Sequence, residues 1–202
     1  MVSFDEQAIL DKGAYIYNQR AEIERIADEI CEKGFDSIFF TSSGGSLAMM
    51  QPFDYMVSVM SDIPVQSQIS ADFLTAGNRR IGKGTLAFMA SKSGDTKETV
   101  AAAKAAKDAG CTIVSTLGVD GSPLGELSDY GVVYKQGRPM ELVLYLLIGK
   151  ILKNRGFFDD YDRFADELVN LPAALVSVGK NADEMARAYA LKHKDDPYQI
   201  WT

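Results

Sequence analysis

The sequence predicts an α/β fold: a doubly wound parallel sheet of five strands with helices on both faces and further helices at each end. Short apolar runs alternate with helical patterns from residue 36 to 155, and such alternation closes into a parallel sheet through right-handed crossovers. The most apolar run, Gly84–Ala90, shows no polar alternation, as expected of a central strand covered on both faces. Two of the runs lead directly into a turn rich in serine and glycine, with a helical pattern behind it.

Taken in order, residues 5–33 carry a helical pattern in which Ile23, Ile26, Ala27 and Ile30 share one face, and Gly34 ends it. Residues 1–35 are therefore read as an N-terminal helical segment. Asp36–Thr41 is the first strand, followed by a helix over Leu47–Met60. Pro64–Ile69 is the second strand, polar enough to lie toward an edge. After the Gly84–Ala90 strand comes an alanine-rich helix, Lys97–Ala109. Gly110–Thr116 and the short Tyr130–Tyr134 complete the sheet, and Met140–Arg155 is a helix closing a domain that spans 36–155. Beyond Gly156 the pattern is helical, with Asp159–Asn170 and Ala173–Lys194 separated at Leu171-Pro172, where proline opens the second helix. Residues 156–194 form this connector. Asp195-Asp196-Pro197 stops the helix, and Tyr198–Thr202 reads as a new strand similar in character to Ile38–Thr41. Residues 195–202 are thus expected to begin a second domain, which makes the chain the first part of a longer protein.

Composition narrows the function. The 202 residues are 47% hydrophobic and carry a net charge of −7, which argues against nucleic acid or an anionic membrane as partner. No apolar stretch approaches the roughly 20 residues a membrane span needs, and the N-terminus lacks a basic-then-apolar signal; a cytoplasmic protein is expected. Cys31 and Cys111 suit buried reduced thiols better than a disulfide framework. One histidine, His193, and no Cys/His cluster speak against a metal site. No bound cofactor is expected either. Gly77–Gly84 resembles a nucleotide-binding P-loop, but Gly84 stands where Ser or Thr must hold magnesium, and a strand follows. Neither turn is a nucleophile elbow, and no Gly-x-Gly-x-x-Gly fingerprint follows the first strand.

The chemistry concentrates in the two turns, Ser42-Ser43-Gly44-Gly45-Ser46 and Ser91-Lys92-Ser93-Gly94-Asp95-Thr96. Each places hydroxyls and unpaired helix N-terminal N–H groups at one point, and such a point attracts an anion. Either turn alone is explained by ordinary helix capping. Two of them at the carboxyl ends of parallel strands point to a ligand, because open α/β sheets bind ligands along that edge. A phosphate ester is the natural anion.

These residues resemble the SIS (sugar isomerase) domain family over about Asp36 to Arg155, in a flavodoxin-like sheet. The second turn has the family's Ser-x-Ser-Gly-[Glu/Asp]-Thr form. The first, Ser43-Gly44-Gly45-Ser46, is looser: Ser43 stands where the family often has Cys, and Gly45 replaces a usual Thr or Ser. The helical ends are similar to the layout of proteins with two SIS domains. The run Met140–Leu146 is most like the fructosamine-6-phosphate deglycases, rather than the isomerase half of glucosamine-6-phosphate synthase.

The resemblance implies that the hydroxyls of Ser46, Ser91, Ser93 and Thr96 bind a sugar phosphate, with Ser43 in the same turn and the N–H groups of Gly44, Gly45 and Lys92 assisting. Several oriented donors can hold a dianion without a cationic side chain, and Lys92 is read as solvent-facing. It also implies that the principal acid–base residues, a Glu and a His, lie in a second domain absent from this sequence. Within the chain, Glu141 is the one catalytic candidate, set against its role as a helix-dipole partner; His193 at a helix C-terminus reads as surface. The expected partner is a phosphorylated sugar or a sugar–amine adduct, and the protein is expected to form a homodimer or larger homo-oligomer. The alternative is a non-catalytic, phosphosugar-sensing regulatory module.

Overall fold

The computed structural model describes residues 5–135, 137 and 139–197. Tyr198–Thr202, expected to open a strand, lie outside the described residues. Five parallel strands, β1 (Ser37–Ser42), β2 (Val65–Ile69), β3 (Thr85–Ser91), β4 (Thr112–Leu117) and β5 (Tyr130–Val133), form one sheet in the order β2-β1-β3-β4-β5. This is the flavodoxin-like order. β3 lies at the centre with all of its residues buried, as its apolar run predicts. β2, carrying Gln66, Ser67 and Gln68, takes the edge and is only partly covered.

Alternation along the strands divides the interior into two layers. Ile38, Phe40, Leu86 and Phe88 face α1 (Glu6–Tyr17), α2 (Arg20–Lys33), α3 (Gly44–Met60), α7 (Met140–Asn154) and α8 (Tyr161–Glu167). Phe39, Ala87, Met89 and Ile113 face α4 (Ser70–Ala76), α5 (Lys97–Asp108) and α6 (Pro123–Leu127). The alanines of α5 let it lie close to the sheet: Ala102, Ala103 and Ala106 are fully buried. α7 is apolar around most of its circumference because α2, α3 and α8 pack about it. Tyr161 anchors α8 there, donating its hydroxyl to the Leu146 carbonyl at 3.1 Å and to Glu24 at 3.0 Å.

Several elements differ from those expected. The lead-in is two helices, because α1 closes at Asn18, whose N–H bonds to Ala14, and Gln19 donates to Ile16 at 2.9 Å. No glycine or proline marks that break. The short helices α4 and α6 were not anticipated, being too brief to show a period. In the tail, α8 shortens to seven residues and runs through a 3₁₀ turn (Leu168–Asn170) into α9 (Leu171–His193), with Pro172 inside its first turn. α9 starts hard against α1: a Cβ on Gly13 would lie 2.0 Å from Cγ of Pro172. Among the described residues no helix is long and apolar enough to cross a membrane.

Candidate functional site

The sheet order reverses between β1 and β3, and the crevice at such a point is where open α/β sheets bind ligands. Both serine turns leave the sheet there. The β1–β3 register runs as far as Phe40 opposite Phe88. Past that pair the Ser42 side chain bridges the strands, donating to the Ala90 carbonyl and accepting from the Ala90 N–H at 3.3 Å. The first turn is also linked to the helix behind the second: Ser43 Oγ lies 3.3 Å from Oγ1 of Thr99 on α5. The two corners therefore sit side by side on one rim of the sheet.

Helix starts explain what the corners offer. Ser43 and Thr96 occupy the N-cap positions of α3 and α5, and both are residue types that ordinarily cap. Neither does. Ser43 is engaged with Thr99, and Thr96 Oγ1 lies 3.0 Å from Ser91 Oγ. The first N–H groups of both helices, which have no partner within their own helix, thus keep no side-chain cap. Gly44 turns into α3 with φ +53°, and the space where side chains of Gly44 and Gly45 would project is open.

Ser91, expected among the ligand donors, is buried and engaged with the turn itself. Its Oγ accepts from the Gly94 N–H at 2.9 Å and pairs with Thr96. Gly94 has φ +76°, and its carbonyl accepts from the N–H of Leu124 at 2.9 Å, so α6 braces the turn from behind. Among the described residues neither Ser46, half-buried, nor exposed Ser93 uses its hydroxyl within the fold.

The cleft in front of the turns has a volume of about 420 Å³ and is lined by Ser43, Gly45, Ser46 and Lys92, joined by Met49, Tyr134, Gly137 and Met140. The last four were not singled out as site residues. Met49, expected to be core or interface filler, is 37% exposed and forms a wall, because it follows Ser46 by three residues on α3 and shares its face. Tyr134 and Met140 could have been suspected from their places at the end of β5 and the start of α7, on the same sheet edge. Burial pushes the Tyr134 phenol above its ordinary pKa, and the Glu141 charge adds to the shift. Glu141 itself is half-buried in the first turn of α7 and lines the neighbouring hollow, not this one. His193 ends α9, its Nδ1 2.7 Å from Asp196. With a rise of ~1.5 Å per residue, it lies some 27 Å along the helix from Leu175 at the same hollow. Among the described residues, the cleft at the turns is lined by no carboxylate or imidazole.

A model of the SIS domain family matches residues 33–146 of the chain. The glutamine–fructose-6-phosphate aminotransferase (isomerizing) of Thermotoga maritima is 32% identical over 175 residues, covering 81% of this chain and 28% of that protein. Fructosamine deglycase FrlB of Bacillus subtilis is 27% identical over 179 residues, covering 83% of this chain and 55% of that protein. A crystal structure from Salmonella typhimurium LT2, designated a phosphosugar isomerase, superposes with a TM-score of 0.81 at 25% identity, over 87% of this chain and 56% of that one. The chain thus spans only 28% to 55% of the two curated relatives' lengths.

Proposed function

The chain belongs to the SIS domain family, and from that premise we propose that it is a phosphosugar-binding unit, the first half of a fructosamine-6-phosphate deglycase or a related isomerase of amino-sugar phosphates. The observation that carries this reading is the pair of neighbouring helix starts whose N-cap hydroxyls are turned away from capping. A sugar phosphate dianion set between them accepts from the N–H groups of Gly44, Gly45 and Lys92 and from the hydroxyls of Ser46, Ser93 and Thr96, with Ser43 and Ser91 holding the turns in place. Charge-assisted hydrogen bonds of this kind are about twice as strong as neutral ones. The division of the chain goes with it: a helical segment to residue 35, the binding domain to 155, a helical connector to 194, and the start of a second unit after it. A cytoplasmic homodimer or larger homo-oligomer completes the picture.

One observation favours a second reading. Among the described residues no carboxylate or imidazole, the commonest proton-transfer groups, lines the cleft, and its titratable side chains are Lys92 and Tyr134. A phosphosugar-sensing regulatory module needs nothing more. In either reading the isolated chain binds phosphosugars and turns none over.

Thermal-shift measurements with fructose 6-phosphate, glucose 6-phosphate, glucosamine 6-phosphate and inorganic phosphate test the proposal, since a ligand that binds only native protein raises the melting temperature. A rise with a hexose phosphate that Ser93→Ala reduces is expected. No rise with any of them refutes the binding reading, and an undiminished rise in Ser93→Ala removes Ser93 from the site. Deglycation of a fructosamine 6-phosphate by these 202 residues alone would refute the absence of turnover.

A further inference from the structure

Of the polar side chains lining the cleft, Tyr134 is the most deeply buried. It is 6% exposed, yet among the described residues its phenol hydroxyl has no hydrogen-bond partner. The described side-chain oxygens sealed inside the fold without a partner are those of Thr116 and Ser122. The Tyr134 oxygen is not one of them, so it opens on the space that the residue lines, the cleft at the serine turns. A buried phenol ordinarily finds a partner, and here the cleft is the side from which one can come. Strand register fixes where this hydroxyl stands. Ser91, Leu117 and Val133 form one row across β3, β4 and β5. The next residues in that row are Lys92, Gly118 and Tyr134. They are kept in step by the Gly118 N–H, bonded to the Ser91 carbonyl at 3.1 Å, and the Tyr134 N–H, bonded to the Leu117 carbonyl at 2.9 Å. Lys92 and Tyr134 therefore leave the sheet edge at one height, and Gly118 between them adds no side chain. At ~4.8 Å per strand, Tyr134 starts roughly 10 Å across the sheet from the second turn.

Resting on the phosphosugar reading, we infer that Tyr134 is a specificity residue of this site: its hydroxyl donates to an oxygen of the sugar while the two turns hold the phosphate. A phosphate at the starts of α3 and α5 lies over β1 and β3, and Tyr134 enters from the β5 side, where the rest of the ligand extends. The phenol is suited to donating, since burial and the Glu141 charge both keep it protonated. The other charged groups nearby do not do this work. Lys92, in the same cleft, attracts every phosphate ester alike. Lys12 and Glu141 line the adjoining hollow, where their opposite charges offset one another. A neutral donor at Tyr134 pairs with a hydroxyl or carbonyl oxygen, and it stays unpaired when the ligand is phosphate alone or an ester too short to reach it. A site that leaves a buried polar group unpaired with the smaller ligand discriminates against that ligand. Met49 and Met140 supply apolar walls for the carbon skeleton, so one placed hydroxyl orients the sugar among them.

Calorimetric titration of the native protein and of Tyr134→Phe with fructose 6-phosphate, glycerol 3-phosphate and inorganic phosphate tests this. Phenylalanine keeps the ring and removes a hydroxyl that the fold does not use, so the melting temperature without ligand should not fall. Fructose 6-phosphate should bind the variant about three- to tenfold more weakly, the effect of one hydrogen bond. Glycerol 3-phosphate and inorganic phosphate should bind both proteins equally. An unchanged affinity for fructose 6-phosphate overturns the inference, and so does an equal loss for all three ligands, which marks a change in the shape of the cleft. A lowered melting temperature of the unliganded variant also overturns it, because the hydroxyl is then engaged by the fold. Each of these outcomes leaves the phosphosugar reading intact as long as the native protein binds fructose 6-phosphate. Failure of that binding overturns the phosphosugar reading, and this inference with it.

Discussion

Gly94→Ala tests whether the second turn is braced as its geometry requires. At φ +76° a β-carbon is unfavourable on conformational grounds alone, by about 1–2 kcal/mol. It would also meet Ser122 Oγ at 2.1 Å and Ser122 Cβ at 2.2 Å. Ser122 cannot step aside cheaply, because Leu124 N–H is bonded to the Gly94 carbonyl at 2.9 Å and holds the start of α6 against the turn. Such overlap costs about 1–3 kcal/mol, so the substitution should destabilise by roughly 2–5 kcal/mol and lower the melting temperature by about 5–20 °C. Denaturant titration of a double-mutant cycle with Ser122→Gly separates the two causes. Ser122 Oγ is buried without a hydrogen-bond partner among the described residues, so Ser122→Gly alone should fall within about 1 kcal/mol of native. The double variant should recover the overlap and keep the backbone cost, giving a coupling of about 1–3 kcal/mol. The stabilisation of Gly94→Ala by fructose 6-phosphate should also shrink, since the Gly94 N–H holds Ser91 and, through it, Thr96. A loss below about 1 kcal/mol, or an uncoupled pair, would refute the braced turn.

Other variants separate structure from binding. Ser91→Ala leaves the buried Gly94 N–H without its acceptor, and unfolding curves should show a loss of about 1–3 kcal/mol. Ser93→Ala, at an exposed hydroxyl, should show almost none. Tyr161→Phe removes donors to Glu24 and to the Leu146 carbonyl and should cost about 1–2 kcal/mol in the same assay. Burial and the Glu24 charge hold the Tyr161 phenol far above its ordinary range, so ultraviolet titration should find it unionised while the native fold persists. At acid pH, the hydrogen bond from Lys153 lowers the Asp162 pKa in the folded protein. Its stabilising contribution is therefore full above the ordinary aspartate value and disappears as pH falls through the folded one. Lys153→Ala should flatten that part of the melting temperature against pH curve, and an unaltered acid slope would exclude the pair as a contributor.

Much of this protein is legible along the chain because the signals are local. The unbroken apolar run of β3, the polar β2 and the alanine face of α5 each state how much of their surface will be covered, and the alternation of strands and helices predicts a parallel sheet. The Ser/Gly turns mark two helix starts that can hold an anion, and that too is read residue by residue. What the sequence does not contain is direction. Whether a hydroxyl caps its own helix, braces its own turn or stays open depends on what the fold sets beside it: Thr99 draws Ser43 away from capping, and Gly94 with Thr96 engages Ser91. The break after Tyr17 carries no glycine or proline, and its two sides pack on different partners, α1 chiefly on α9 and α2 on α7. Met49 on α3, Tyr134 just past β5 and Glu141 on α7 are distant in sequence, and the packing of α3 on α7 brings them to adjoining hollows. Periodicity, capping chemistry and burial demand are properties of a short stretch of chain, so sequence determines them. A cleft is a property of surfaces distant in sequence, and only the assembled layers decide its walls.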